Sequence, residues 1–253
     1  MQTSAKELRQ MASDVDDMHH EAMRNFKEEA AELHLDVAKK SRRSFITKVG
    51  AAGVGGALLS TGGASLGFGS LLGTAGAAGL TDTQIAGYAQ SVELAAVAAY
   101  TAAAPALKGD ALAVAQLFLS HHKDHADAFG AVAKGDARPT ANPKVVAAVT
   151  PTLNAVTAKV KAGKDATTDV LTFAHNLENQ AAYTYAAALT LLSSPAYAAA
   201  TSTILPIEAQ HATVLAIVLG LGTADLFPTG AFESAALGDG TNVKAGLDPA
   251  VFA

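Results

Sequence analysis

Beyond Thr81, apolar side chains recur at three- and four-residue intervals in almost every stretch, which is the period of one helical face, and no alternating strand pattern competes. Cap and turn signals divide the region into four helices. The first runs from about Asp82, an N-cap candidate, to Ala104 and is ended by Pro105. The second starts near Asp110 and stops before the Arg138-Pro139 and Asn142-Pro143 breaks. The third extends from Asp165 to Leu192 and is closed by Ser193-Ser194-Pro195; the fourth spans Pro195 to Leu219, with Gly220 and Gly222 as its stop and a kink predicted at Pro206. Short links make the first and second, and the third and fourth, antiparallel neighbours. Residues 135–164, with Pro139, Pro143 and Pro151, form one long crossover between the pairs. The fold class is all-α, a four-helix bundle.

Upstream the pattern changes twice. Residues 1–40 are charged, and Leu8, Met11, Val15, Met18 and Ala22 keep a three-four spacing that predicts an amphipathic helix. From Val49 to Thr81 there is no charged residue in 33 positions, and 11 of them are Gly. Between these zones lies SRRSFITK, residues 41–48. A positive cluster before a mild apolar run is the layout of an export signal. Ser41, Arg42, Arg43 and Phe45 resemble a twin-arginine signal. That resemblance implies passage across the cytoplasmic membrane to the periplasm or envelope, the twin-arginine machinery as a partner, and a chain exported already folded, often with metal in place. Ala75-Gly76-Ala77 suits cleavage; if it is not cut, the run over 49–72 is long enough to anchor the chain. The layout expected is therefore a leader (1–40), a signal segment (41–77), the bundle (78–223) and a Gly/Pro-rich tail (224–253). His19, His20 and His34 of the leader are expected to be solvated.

Composition narrows the chemistry. A net charge of −5 offers no footprint for nucleic acid. The complete lack of Cys excludes disulfides, thiolate metal sites and a thiol nucleophile. No Gly-x-Ser-x-Gly elbow, phosphate-binding Gly-rich loop with Lys or loop-borne carboxylate pair is present.

Glutamate is where the sequence becomes specific. Beyond residue 81 there are only four: Glu93, Glu178, Glu208 and Glu233. The first three interrupt apolar helical stretches, one each on the first, third and fourth helices. A buried carboxylate is costly unless paired or bound to metal, and three of them ask for a common cation. The fourth helix adds His211 three residues after Glu208, roughly 60° away on the helical wheel. On the second helix Leu112, Ala115, Phe118, Leu119 and Phe129 mark the buried side. His122 and His125 fall within that arc, His121 lies at its edge, and Lys123, Asp124 and Asp127 point away. Tyr100 and Tyr185 each follow a glutamate by seven residues, so each ring lies along its own glutamate's face, as a redox partner, a hydrogen-bond donor or a plain core residue. His175, three residues before Glu178, is a further ligand candidate.

One Glu from each of two helices plus Glu-x-x-His from each of the other two is the di-metal carboxylate template of helix bundles. Glu93, Glu178 and the Glu208/His211 pair fit it, and His122/His125 fill the remaining pair with His where Glu is expected. The arrangement resembles the ferritin-like superfamily over about residues 82–220, particularly its exported bacterial branch related to desiccation-associated proteins. The resemblance implies a ferritin-like bundle and a metal site of Glu93, His122, His125, Glu178, Glu208 and His211. It implies two iron ions reacting with O2 or peroxide or oxidising Fe(II), with Mn or Zn as alternative metals and a homodimer as an open assembly state. An envelope scaffold with a structural metal or none, and a manganese catalase-like enzyme, are the competing readings. His122 in place of a carboxylate lowers the negative charge available to two trivalent ions.

Overall fold

In the computed structural model, residues 4–43 and 80–222 are described, and they contain six α-helices and no strand. The helices are α1 (Ala5–Arg43), α2 (Asp82–Ala103), α3 (Gly109–Ala133), α4 (Pro143–Lys161), α5 (Thr167–Leu191) and α6 (Pro195–Leu219). The apolar run over 49–72, the cleavage motif and the tail lie outside the described residues.

Each boundary has a local cause. Thr81, one residue before the expected cap, starts α2 through a capping box in which its hydroxyl accepts from the Gln84 N–H and the Gln84 side chain accepts from the Thr81 N–H. A 3-10 turn at Ala104–Ala106 takes up Pro105 and ends the helix. Gly220 closes α6 in the left-handed region at φ 70°. Within α6, the helix continues through Pro206, whose exposed ring removes one N–H donor.

The two hairpins, α2–α3 and α5–α6, make the most extensive helix contacts and build the bundle. Their ends are tied together by the Asp82 carboxylate, which accepts from the backbone N–H groups of Ser193 and Ser194 at 2.8 and 2.9 Å. Gly87 lets α2 approach the turn after α3 closely: a Cβ there would stand 2.0 Å from the Asp136 carbonyl oxygen, a backbone atom with little freedom to yield. Gly87→Ala is therefore expected to destabilise the bundle by about 1–3 kcal/mol, read as a lowered Tm.

Two regions depart from the sequence expectation. The crossover is largely helical. Asn142 caps α4 by accepting from the N–H groups of Lys144 and Val145, and Pro143 sits in the first turn, where its missing N–H costs nothing. Val145, Val149 and Val156 are buried, and α4 packs against α2.

The larger difference concerns α1. The leader helix lies across α6 and α3, with Leu8, Val15, Ala22, Met23 and Phe26 buried. Burying each of its larger apolar side chains contributes roughly 1.5–3 kcal/mol. His19 belongs to the same stripe and is 1% exposed, which overturns the expectation that it is solvated. His20 on the outer face is exposed as expected.

Leu8, Val15, Tyr100, Val114, Phe118, Val170 and Leu215 belong to one apolar cluster; Phe26, Phe129, Tyr185, Tyr197 and Ile204 belong to a second. The buried polar groups described next occupy the middle of the helices, between the two clusters.

Candidate metal centre

Four helices deliver six polar side chains to one place. Glu93 comes from α2, His122 and His125 from α3, Glu178 from α5, and Glu208 and His211 from α6; all are 0–1% exposed. The three-residue spacing on α3 and on α6 puts each pair on one inward face.

The six form two overlapping groups of donor atoms, each with all atoms within 4.8 Å of one another. Glu93, His122, His125 and Glu208 make one; His122, Glu178, Glu208 and His211 make the other. Glu208 belongs to both and stands between them: its Oε1 is 2.8 Å from His125 Nδ1, and its Oε2 is 3.3 Å from His211 Nδ1. His122 also spans the two, with Nδ1 2.7 Å from Glu93 Oε2 and Nε2 3.1 Å from Glu178 Oε1. His211 Nδ1 lies 3.1 Å from Glu178 Oε2.

The tyrosines cross between hairpins. Tyr100 on α2 donates its hydroxyl to Glu178 on α5, and Tyr185 on α5 donates to Glu93 on α2. Each ring therefore serves the other hairpin's glutamate. Exchanging the hairpins maps Glu93 onto Glu178, Tyr100 onto Tyr185, His125 onto His211, and His122 onto Glu208. His175 stays outside both donor groups, half-buried with Nε2 3.1 Å from the Asn179 side chain.

The electrostatics follow from this enclosure. Burial pushes the Glu93 carboxyl up, but His122 and His125 outweigh it and hold it at about 2. Burial raises Glu178 likewise, and His122 and His211 bring it well below the ordinary carboxylate value. Burial pushes the three imidazoles down, yet the facing carboxylates win. Glu178, Glu208 and Glu93 raise His122 well above its ordinary value, Glu208 and Glu93 bring His125 to about 9, and Glu178 raises His211. The tyrosine hydroxyls are held protonated, by burial first and the carboxylates second. Without a metal, the raised imidazoles thus face the lowered carboxylates of Glu93 and Glu178, with the Glu208 side chain between them.

Hydrogen bonding in the cluster is incomplete. Both oxygens of Glu208 and both ring nitrogens of His125 are buried with no hydrogen-bond partner among the described residues, although Glu208 and His125 are close. Fully buried carboxylate oxygens that accept no hydrogen bond suit a cation, and mixed carboxylate and imidazole donors suit a transition metal. The donor set fits a metal ion on these grounds.

A second layer escaped the sequence reading. His121, placed at the edge of the α3 arc, is 1% exposed and continues the centre outward. Its Nδ1 is 2.9 Å from His211 Nε2, and its Nε2 is 3.1 Å from Asp16 Oδ1 on α1. His19 stacks on His121 with ring centroids 3.8 Å apart. The signal was present: Val15, His19 and Met23 share a four-residue spacing on α1, as His121 and His125 do on α3.

Among known proteins, the family model of the ferritin-like domain matches residues 81–221. No curated protein and no solved structure gives a significant match. The matched region is the bundle from the α2 cap to the end of α6, and it contains all six inward donors. On that match and this architecture, the chain belongs to the ferritin-like domain family.

Proposed function

We propose that the protein holds two iron ions in the bundle centre and uses them to react with O2 or peroxide or to oxidise Fe(II). The observation that carries the reading is Glu208, a buried carboxylate without hydrogen bonds that is shared by two donor groups of opposite hairpins. Glu93 and His125 would hold one ion with Glu208; Glu178 and His211 would hold the other with Glu208. A neutral imidazole has a single lone pair, so His122 ligates one ion and leaves the two positions unequal in affinity. Tyr100 and Tyr185 orient Glu178 and Glu93 through their hydroxyls, and such outer partners tune both affinity and geometry. The bound pair supplies one-electron redox chemistry toward a small oxidant.

The surroundings restrict what reaches the pair. A cavity of about 20 Å³ adjoins Glu93 and His122, closed by Val92, Ala96, Val145 and Leu177. That is room for about one water-sized molecule, the scale of dioxygen or peroxide.

Export by the twin-arginine route, and kinship with the desiccation-associated branch, belong to the same proposal. On this reading α1 docked on the bundle would be the arrangement of the uncleaved chain, and cleavage at 75–77 would cut its covalent link to the bundle.

One observation favours a competing reading. The raised imidazoles and the lowered carboxylates of Glu93 and Glu178 support one another electrostatically, as a polar network in a metal-free scaffold would. Turnover separates the two. The full chain loaded with Fe(II) is expected to oxidise added Fe(II), or to consume peroxide, at least 10-fold faster than a Glu178→Ala, His211→Ala variant. Equal rates would reject the redox function, and oxygen release from peroxide by the manganese-loaded chain would reassign it as catalase-like.

A further inference from the structure

We propose that Asp16, His19 and His121 form an outer site for a divalent transition-metal ion, through which ions reach the buried centre. The three lie outside the six inward donors, yet one ligand atom from each falls within 4.8 Å of the others. Two imidazoles and a carboxylate are a sufficient set for a divalent first-row ion, with water completing the shell.

His19 is the observation that points to a ligand. Its ring is buried, and neither nitrogen has a hydrogen-bond partner among the described residues. A buried imidazole in that state costs free energy that a ligand would recover. It lies flat against His121 with an interplanar angle of 12°, so ligation requires the His19 ring to turn out of the stack. No hydrogen bond within the described residues opposes that turn.

Access is built in. A groove of about 680 Å³ between α1 and α3 reaches His19 and is lined by His20, Asp124 and Asp127, with Arg24 and Lys27 also present. Asp124 Oδ2 stands 3.9 Å from His19 Nε2.

His121 connects this site to the centre. Its Nε2 lies 3.1 Å from Asp16 Oδ1 and its Nδ1 lies 2.9 Å from His211 Nε2, so one ring touches a donor of each site. An ion at the outer site stands one imidazole away from the inner donors and is handed over along that path.

The hand-over step rests on the inner centre being a metal site; the outer site itself does not, and the experiment separates them. The full chain carrying Glu93→Ala and Glu178→Ala, which disables the centre, is titrated with Co(II) and followed by absorption and elemental analysis. It is expected to bind one equivalent, weakened at least 10-fold by His19→Gln or Asp16→Asn. In the otherwise unaltered chain, the same substitutions should slow Co(II) loading of the centre at least 10-fold without changing its final amount. Hydrogen exchange of α1 shows whether it remains docked. If His19→Gln releases it, Asp16→Asn, at the helix edge, decides. No binding by the folded, centre-disabled chain, or binding that neither substitution weakens, overturns the outer site. One equivalent there with none in the unaltered centre would uphold the outer site and reject the functional reading above. Unchanged loading rates would overturn its role in transit.

Discussion

Glu208→Gln is expected to abolish both inner metal positions together, with at least a 100-fold loss of affinity at each. Every other carboxylate donor belongs to one group of the centre, whereas Glu208 belongs to both. Its removal also leaves three imidazoles facing two carboxylates, so the Coulombic support that Glu208 gives His125 disappears. Glutamine preserves volume and offers one weaker oxygen, so the loss reports on ligation and not on packing. Glu93→Gln should by contrast damage mainly the position shared with His125. Competition titration against a chelator of known affinity, performed on both variants, checks the difference. Equal, single-site losses in the two would show that Glu208 does not join the positions.

Metal loading should depend steeply on pH. His122, His125 and His211 carry protons in the metal-free protein because the facing carboxylates overcome the effect of burial, with His125 at about 9. Each must lose its proton to ligate, while Glu93, at about 2, is already ionised. Filling the pair therefore releases up to three protons, and the overall constant should rise by up to about 1000-fold per pH unit while all three imidazoles remain protonated, with the His125 share ending above about pH 9. Calorimetry in buffers of different ionisation enthalpy counts the protons. The same ion pairs act oppositely on the metal-free bundle. Raised imidazole values stabilise it fully below 6.5 and lose that effect as pH rises through about 9 for His125. The lowered value of Glu93 stabilises it above 4.5 and loses that effect as pH falls toward 2. Metal-free stability from the centre is thus greatest between about 4.5 and 6.5, below the pH range in which metal affinity is highest.

Much of this centre could be read from the chain because charges within apolar helical stretches are rare. Glu93, Glu178 and Glu208 stand out against their neighbours, and helical spacing brings His122, His125 and His211 to the same side. Spacing assigns a side chain to a face of its own helix, however, and says nothing about what stands opposite. Tyr100 and Tyr185 accordingly face inward as the spacing predicts, while the glutamates of the opposite hairpin that their hydroxyls reach are not specified by it. In the crossover, Pro143 and Pro151 signalled a break, but one occupies a first turn and the other an exposed position within the helix. The leader is a different case. It is charged along much of its length, and only the four-residue spacing of Val15, His19 and Met23 marks the stripe that seats it on the bundle. Burial of a histidine at such a position depends on a partner surface that local sequence does not specify.

Elemental mass spectrometry of the purified full chain, loaded anaerobically with Fe(II) and freed of excess metal, tests the dinuclear centre most directly when wild type and Glu208→Gln are compared. Two more ions per wild-type chain than per variant chain is the result predicted. A wild-type chain that retains no metal, or retains the same amount as the variant, would contradict it and leave the six buried groups as a polar network.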